Sequence, residues 1–381
     1  MPSMYPPEKA AATSVLPYNS EVAASPSRFH PRSWNWKIWT GIAIAAVVVF
    51  VAAIVGGVLG ARANAYPNYS KIDYKLQDTY AADDFFSKFT YFTGYDPTHG
   101  FVHYVDSPTA MAENLTLVSN TTSSTASTSL STSGTAILRV DTSDTNATTG
   151  RRSVRITSKA TYDTGLFIFD IVHSPYGCAT WPALWLTDVS NWPQNGEIDV
   201  VEAVNAATSG NQVTLHTTKG CQIGKARKRK QTGTALTYDC YNGTDGNVGC
   251  GVQGPVDTFG AAYNALGGGV YALELRSAGI RVWSFARSAI PADIASQAPD
   301  PSTWGTALAD FPNLECDIGS HFRNQTIVVN IDLCGDWAGQ KSIFQQGGAC
   351  SGTCSEWVAS EAESFSEAYW EFGGFWVYGA A

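Results

Sequence analysis

A chain of 381 residues with 44% hydrophobic and 15% charged residues can bury a full core, which excludes a chain disordered throughout. Residues 1–61 carry a net +2, so the overall −9 puts −11 on the remaining residues and excludes nucleic acid as the partner. Twelve Trp, 17 Tyr and 17 Phe beside 35 Gly favour short strands and an aromatic-lined groove over a helical bundle, so the expected class is all-β.

In chain order, residues 1–37 hold Pro2, Pro6, Pro7, Pro17, Pro26 and Pro31 without apolar periodicity, and are expected to form a disordered cytoplasmic tail. Ile38–Ala61 follows, 24 residues without a charge between Lys37 and Arg62. A bilayer core needs about 20 apolar residues in helical form, so this segment reads as one transmembrane signal anchor. A cleaved signal peptide with secretion is the competing reading, since small residues at Ala61, Ala63 and Ala65 resemble cleavage sites. The length of the apolar core and of the region before it favours the anchor. Residues 62–75 are expected to be a linker and 76–381 one catalytic domain.

Lys and Arg flank both ends of the segment and leave its orientation open. Every Asn-X-Ser/Thr sequon (Asn68, Asn114, Asn120, Asn146, Asn242, Asn324) and all eight cysteines follow it. Such one-sidedness suits a type II membrane protein whose domain is extracellular or lumenal, where glycans attach and disulfides persist. Most of the cysteines are therefore expected to be oxidised, with the pairing left open. No paired C-x2-C motif or histidine cluster suggests a metal, and neither metal nor cofactor is expected.

Within the domain, Asn114–Gly134 is Ser/Thr-rich and reads as a long solvated loop, and the KARKRK run at 225–230 as a second. Strand patterns occupy Ser153–Ala160, Gly165–Val172, Val270–Leu275, Gly279–Phe285, Thr326–Leu333 and Ser364–Val377. Short strands with turn residues between them and no βαβ rhythm argue for a two-sheet sandwich.

The most informative stretch is WPALWLTDVSNWPQNGEIDVVEAVN, residues 181–205. Asn195-Gly196 marks a turn, and Glu197, Asp199 and Glu202 follow among β-branched residues on one strand. Alternation puts Glu197 and Asp199 on one face and Glu202 on the other, so a β-bulge at Val200-Val201 is expected to turn Glu202 back to its partners. Three carboxyls in a groove suit glycoside hydrolysis: one nucleophile, one protonated acid for the leaving oxygen, and one assisting acid. Carboxyls about 5–5.5 Å apart leave no room for an intervening water and imply retention of anomeric configuration. Repulsion among them favours a proton held near neutral pH. By itself the spacing also fits acids on an exposed strand edge. Trp181, Trp185 and Trp192 strengthen the sugar reading, because indole faces stack on sugar rings. Trp181 reads equally well as a core residue, and Trp192, beside Pro193, as exposed.

NGEIDVVEAVN, with TWPALW before it and TLHTTKGC after it, resembles the catalytic segment of glycoside hydrolase family 16, in its fungal endo-1,3(4)-β-glucanase or laminarinase-like branch. The similarity runs from YFTGYDPTHGFVHYVD through TYDTGLFIFDIVHSPYGCATWPALW, GGGVYALELRSAGIRVWSFARSAIP and VNIDLCGDWAG to FWVYG. The resemblance implies a concanavalin A-like β-jelly-roll sandwich with a concave glucan cleft. It implies Glu197 as nucleophile, Asp199 as its assistant and Glu202 as acid/base. Two residues between Asp199 and Glu202 match the laminarinase-like E-x-D-x-x-E form rather than the E-x-D-x-E of lichenases and xyloglucan-modifying relatives. Trp185, Trp192, His216 and Trp337 would line the subsites. His103 would sit at a donor-side position where relatives often carry Asn.

The expected protein is a membrane-anchored, monomeric, retaining endo-β-glucanase acting on β-1,3 linkages and on β-1,4 linkages next to them. A wall-building transglycosylase using the same covalent intermediate is the first alternative, and a non-catalytic glucan-binding protein the second.

Overall fold

The computed structural model describes residues 35–63, 65–81, 84–119, 130, 134–206, 208–223 and 230–381. Most of the expected tail, the tip of the Ser/Thr-rich segment and residues 225–229 of the basic run lie outside them. Two compact units result, residues 1–64 and 65–381. In the first, Trp36–Ala63 is one α-helix, long and apolar enough to cross a membrane.

The second unit is built on two antiparallel sheets of eight strands each. One sheet runs Ala309–Pro312, Gly279–Ala286, Gly269–Arg276, Gly165–His173, Tyr369–Ala380, Thr135–Arg139, Thr116–Ser119, with Tyr74–Tyr80 also paired to Tyr369–Ala380. The other runs Thr234–Ala235, Cys250–Gln253, Gln212–His216, Glu197–Glu202, Thr180–Thr187, Thr326–Leu333, Arg155–Ser158, Phe89–Tyr91. Alternation explains the layering. Leu184, Leu186, Ile198, Ile327, Val329 and Ile331 of the second sheet meet Phe167, Phe169, Leu273, Val282 and Phe375 of the first in one core. The intervening side chains of the second sheet are left for a cleft on its other face.

The first sheet is covered on both faces, which accounts for the burial of every position of the largely apolar strand Gly165–His173. Its outer face carries a second apolar cluster that includes Leu166, Ile168, Val270, Trp283 and Trp376. Here the expected linker is corrected. Residues from Ala65 onward belong to the compact body. Tyr66 and Tyr69 donate hydroxyl hydrogen bonds to the buried carboxylate of Asp310, the second at 2.8 Å, and Tyr74 donates to Glu274 at 2.9 Å. Buried carboxylates need donors, and this strap of tyrosines supplies them.

A second correction concerns Asn114–Gly134. Thr116–Ser119 is a strand paired with Thr135–Arg139, so the Ser/Thr-rich stretch opens inside the sheet rather than as loop throughout. All eight cysteines are paired: Cys178 with Cys350, Cys221 with Cys316, Cys240 with Cys250 and Cys334 with Cys354.

Candidate active site

Glu197–Glu202 lies between Thr180–Thr187 and Gln212–His216. Its first residue follows Gly196, whose φ of 73° lies in the left-handed region. A Cβ there would also come within 2.4 Å of the His321 carbonyl oxygen, so the turn requires glycine.

The bulge lies where alternation demands it. Against Thr180–Thr187, Asp199 opposes Trp185 while Val201 opposes Leu184, so Val200 is the extra residue. Val200 and Val201 are both fully buried, and Glu202 returns to the face of Glu197 and Asp199. All three carboxyls line a cleft of about 420 Å³ together with Trp181, Trp185 and Trp192.

Partners differ among the acids. Trp181 Nε1 donates to Glu202 Oε1 at 2.7 Å. Asp199 Oδ2, buried and without a well-aligned hydrogen bond, lies 3.4 Å from His216 Nε2. His216 Nδ1 in turn lies 3.0 Å from Asn247 Oδ1. Burial, then the charge of Asp199, pushes Glu197 up to about 7, against the opposing pull of His216, the Trp192 indole and Arg155. Burial and Asp199 push Glu202 further, to about 8. For His216, burial disfavours the charged form, but the Asp199 carboxylate beside its Nε2 and the charges of Glu197 and Glu202 outweigh it and raise its pKa to about 9. Glu197 and Glu202 thus titrate as a pair, both held above the ordinary carboxylate range by burial and by Asp199 between them.

Trp185 is fixed by donating from Nε1 to Asn330 Oδ1 at 2.8 Å and by the Arg155 guanidinium, 5.1 Å from its ring centre. Trp192, 41% exposed, stands at the cleft mouth as its neighbouring proline suggested. Trp337 is half-buried on the short helix Gly335–Ala338, edge-on to Trp181 at 5.8 Å between ring centres. His103 is not brought into the cleft. It is exposed on Val102–Tyr104, its Nε2 3.2 Å from Thr149 Oγ1, because the adjacent Tyr104 takes the inward position on that strand.

Several lining residues were not anticipated from the sequence. They include Asp96, Arg155, Asn247, Asn330 and Asp332. Burial, then the charge of Asp96, holds Asp332 well above the usual carboxylate range. Gly100 allows this corner to close, since a Cβ there would lie 1.8 Å from Asp332 Oδ1. Among the described residues, Glu197, Asp199 and His216 form the group that could hold a cation, with ligand atoms within 4.8 Å of one another. Their mutual charge pairing accounts for the grouping without an ion.

Residues 89–378 match the family model described as "XgeA-like, catalytic GH16 domain". A "Probable glycosidase" of Schizosaccharomyces pombe is 43% identical over 82% of this chain and 71% of its own length. An "Endo-1,3(4)-beta-glucanase" of Arthroderma benhamiae is 37% identical over 80% of this chain, which spans 65% of that relative. Laminarinase 16A of Phanerochaete chrysosporium, solved with beta-glucans in both donor and acceptor sites, is 44% identical with a TM-score of 0.73, covering 80% of this chain and 99% of the laminarinase. A solved "elongating GH family 16 beta-1,3-glucosyltransferase" is 39% identical with a TM-score of 0.71, covering 80% of this chain and all of that one. The two antiparallel sheets have the laminarinase jelly-roll arrangement, and the family match over residues 89–378 with these relatives shows that the chain belongs to glycoside hydrolase family 16.

Proposed function

We propose that the protein is a retaining endo-β-glucanase that cleaves β-1,3 linkages, and β-1,4 linkages next to them, within glucan chains. The observation that carries this reading is the bulged strand: three carboxyls on one face of one cleft, with Glu202 returned to the side of Glu197 and Asp199. Glu197 attacks the anomeric carbon as Glu202 delivers its proton to the departing oxygen, giving a glycosyl ester on Glu197. Glu202, now a carboxylate, takes a proton from the water that attacks this ester from the opposite face, and Glu197 is released. Asp199, held against His216, assists Glu197. Trp185 and Trp192 offer ring faces to the sugar.

Incubating the protein with a defined laminari-oligosaccharide tests the reading. Shorter sugars released first as the β-anomer are expected; α-anomers at early time would rule out retention, and bound but unaltered sugar would indicate a lectin. The similarity to an elongating glucosyltransferase favours a second reading, in which another glucan replaces water as the acceptor. Products longer than the substrate would identify it.

The helix Trp36–Ala63 is read as an uncleaved signal anchor, with the body on the extracytoplasmic side. Supporting this are four disulfides and the restriction of every sequon to the chain after the helix. In intact microsomes the body should resist protease and lose mass on deglycosylation. Digestion of the body, or a mature chain lacking residues 38–61, would overturn the topology.

A further inference from the structure

The loop between Cys240 and Cys250 supplies no group to the bond-making and bond-breaking steps, yet its tip enters the cleft. The disulfide closes a segment of ten residues in sequence, and Cys250 begins a strand paired with Gln212–His216, so the loop is fastened to the strand that carries His216. Asn247, exposed and with φ at 70°, is presented from this loop as part of the cleft lining. Its Oδ1 lies 3.0 Å from His216 Nδ1. Two residues on, Gly249 passes so close to the imidazole that a Cβ would lie 2.7 Å from its Cε1 and 2.8 Å from its Nδ1. The loop therefore packs against the ring as well as bonding to it.

Both ring nitrogens consequently face oxygen. Nδ1 meets the amide oxygen of Asn247 and Nε2 the carboxylate of Asp199. A neutral imidazole has one N–H and one lone pair, and in either tautomer the lone pair would face an acceptor. The imidazolium, a donor at both nitrogens, satisfies both partners with the Asn247 amide oxygen turned to the ring, whereas a neutral imidazole requires the amide turned over so that its NH2 donates to Nδ1.

We propose that Asn247, held on the disulfide-closed loop, is a positioning residue that keeps His216 as the imidazolium against Asp199. This deepens the glycosidase reading and rests on it for its catalytic consequence. A cation on His216 favours the ionised form of Glu197 beside it, and acts in the same direction on Glu202. The groups facing the ring from the neighbouring strand are Glu197, Asp199 and Glu202, all of which favour its charge. From the loop it meets Asn247 and Gly249, which do not ionise; Asp239, just before the loop, accepts from Tyr241 N and Thr244 Oγ1, and the loop's own acid, Asp245, is exposed. The device is thus one neutral acceptor set opposite three acids.

The test is a proton NMR titration of full-length protein in detergent micelles with histidine labelled at Cε1, the His216 resonance being assigned by its loss in His216→Gln. In the wild type it should titrate well above free histidine. Asn247→Leu, which fills the space without accepting a hydrogen bond, should lower the midpoint by about one pH unit, the scale of losing one good partner. Asn247→Asp, which still accepts, should keep it at or above the wild-type value. Releasing the loop with Cys240→Ser/Cys250→Ser should shift it the same way as Asn247→Leu. In parallel, the acidic limb of kcat/KM on laminarin should move to higher pH in Asn247→Leu, since Glu197 loses its cationic neighbour. An unmoved His216 midpoint in Asn247→Leu would overturn the proposal, and an unmoved midpoint in the double serine variant would remove the disulfide from it. The resonance is read without substrate, so a protein that cleaved no glucan would end the glycosidase reading and leave this result standing.

Discussion

Trp181 Nε1 and Glu202 Oε1 form a 2.7 Å hydrogen bond across two adjacent strands, inside the cleft. An indole N–H can only donate, so it stabilises the ionised carboxylate and restrains the rise in pKa that burial and Asp199 impose on Glu202. Trp181→Phe keeps the aromatic body and removes the donor. The alkaline limb of the pH–rate profile, where Glu202 loses its proton, is expected to move up by about one unit, in line with about 1.5–3 kcal/mol for a hydrogen bond to a charged group. A limb that stays in place would show that Glu202 is not the proton donor.

The two glutamates should respond oppositely to azide. Glu202→Ala should lose about 10²–10⁴-fold on laminarin. It should still form the glycosyl-enzyme from substrates with good leaving groups, so azide should yield a β-glycosyl azide. Glu197→Ala should instead give the α-azide by direct attack on the opposite face. Proton NMR of the products reads the anomer, and reversed anomers would exchange the two roles.

Stability should carry the same signature. Glu202 is raised from the ordinary 4.5 to about 8 by burial and Asp199. Below pH 4.5 the carboxyl is neutral both folded and unfolded. Between 4.5 and 8 the folded protein binds the extra proton, so its advantage shrinks as pH rises through the folded value. Glu202→Gln, neutral throughout, should match the wild-type melting temperature at pH 4 and exceed it by a few degrees at pH 8. Equal melting temperatures at both pH values would contradict the raised pKa.

The tyrosine strap should be measurable as a coupling energy. Tyr69→Phe leaves the buried Asp310 carboxylate with the Tyr66 hydroxyl and should cost about 1–3 kcal/mol. In an Asp310→Asn background the same change should cost clearly less. Additive losses in the double variant would mean that the strap is not held by this bond.

Some of this arrangement is legible in the order of the amino acids alone. Glu202 stands an odd number of residues from Asp199, and strand alternation cannot reconcile that offset with a shared face unless a residue is inserted, so the spacing itself announces the bulge. Trp181 is different. Nothing in TWPALW separates a core indole from one that binds a carboxyl, and the bond forms only because the bulge sets Glu202 opposite Ala183. Asn247, Asn330 and Arg155 arrive from a loop and two strands remote in the chain, with no local spacing to mark them. The strap reads as a linker because Tyr69 has its partner 241 residues away. His103 is legible only as a family position, which identifies a residue type, while the local pleat gives the inward place to Tyr104.

The bulge also makes the gap between nucleophile and proton donor adjustable in steps of one residue. Val200 and Val201 both point into the core, so the strand spends two consecutive residues on one side before Glu202 emerges on the other. Deleting Val200 alone would restore strict alternation, with all three acids still sharing a face and Glu202 drawn toward Asp199 by up to about 3.3 Å. Deleting Ile198 instead would put Glu197 and Asp199 on opposite sides. One valine therefore acts as a removable spacer, and the two spacings of this acidic triplet are neighbouring settings of a single strand.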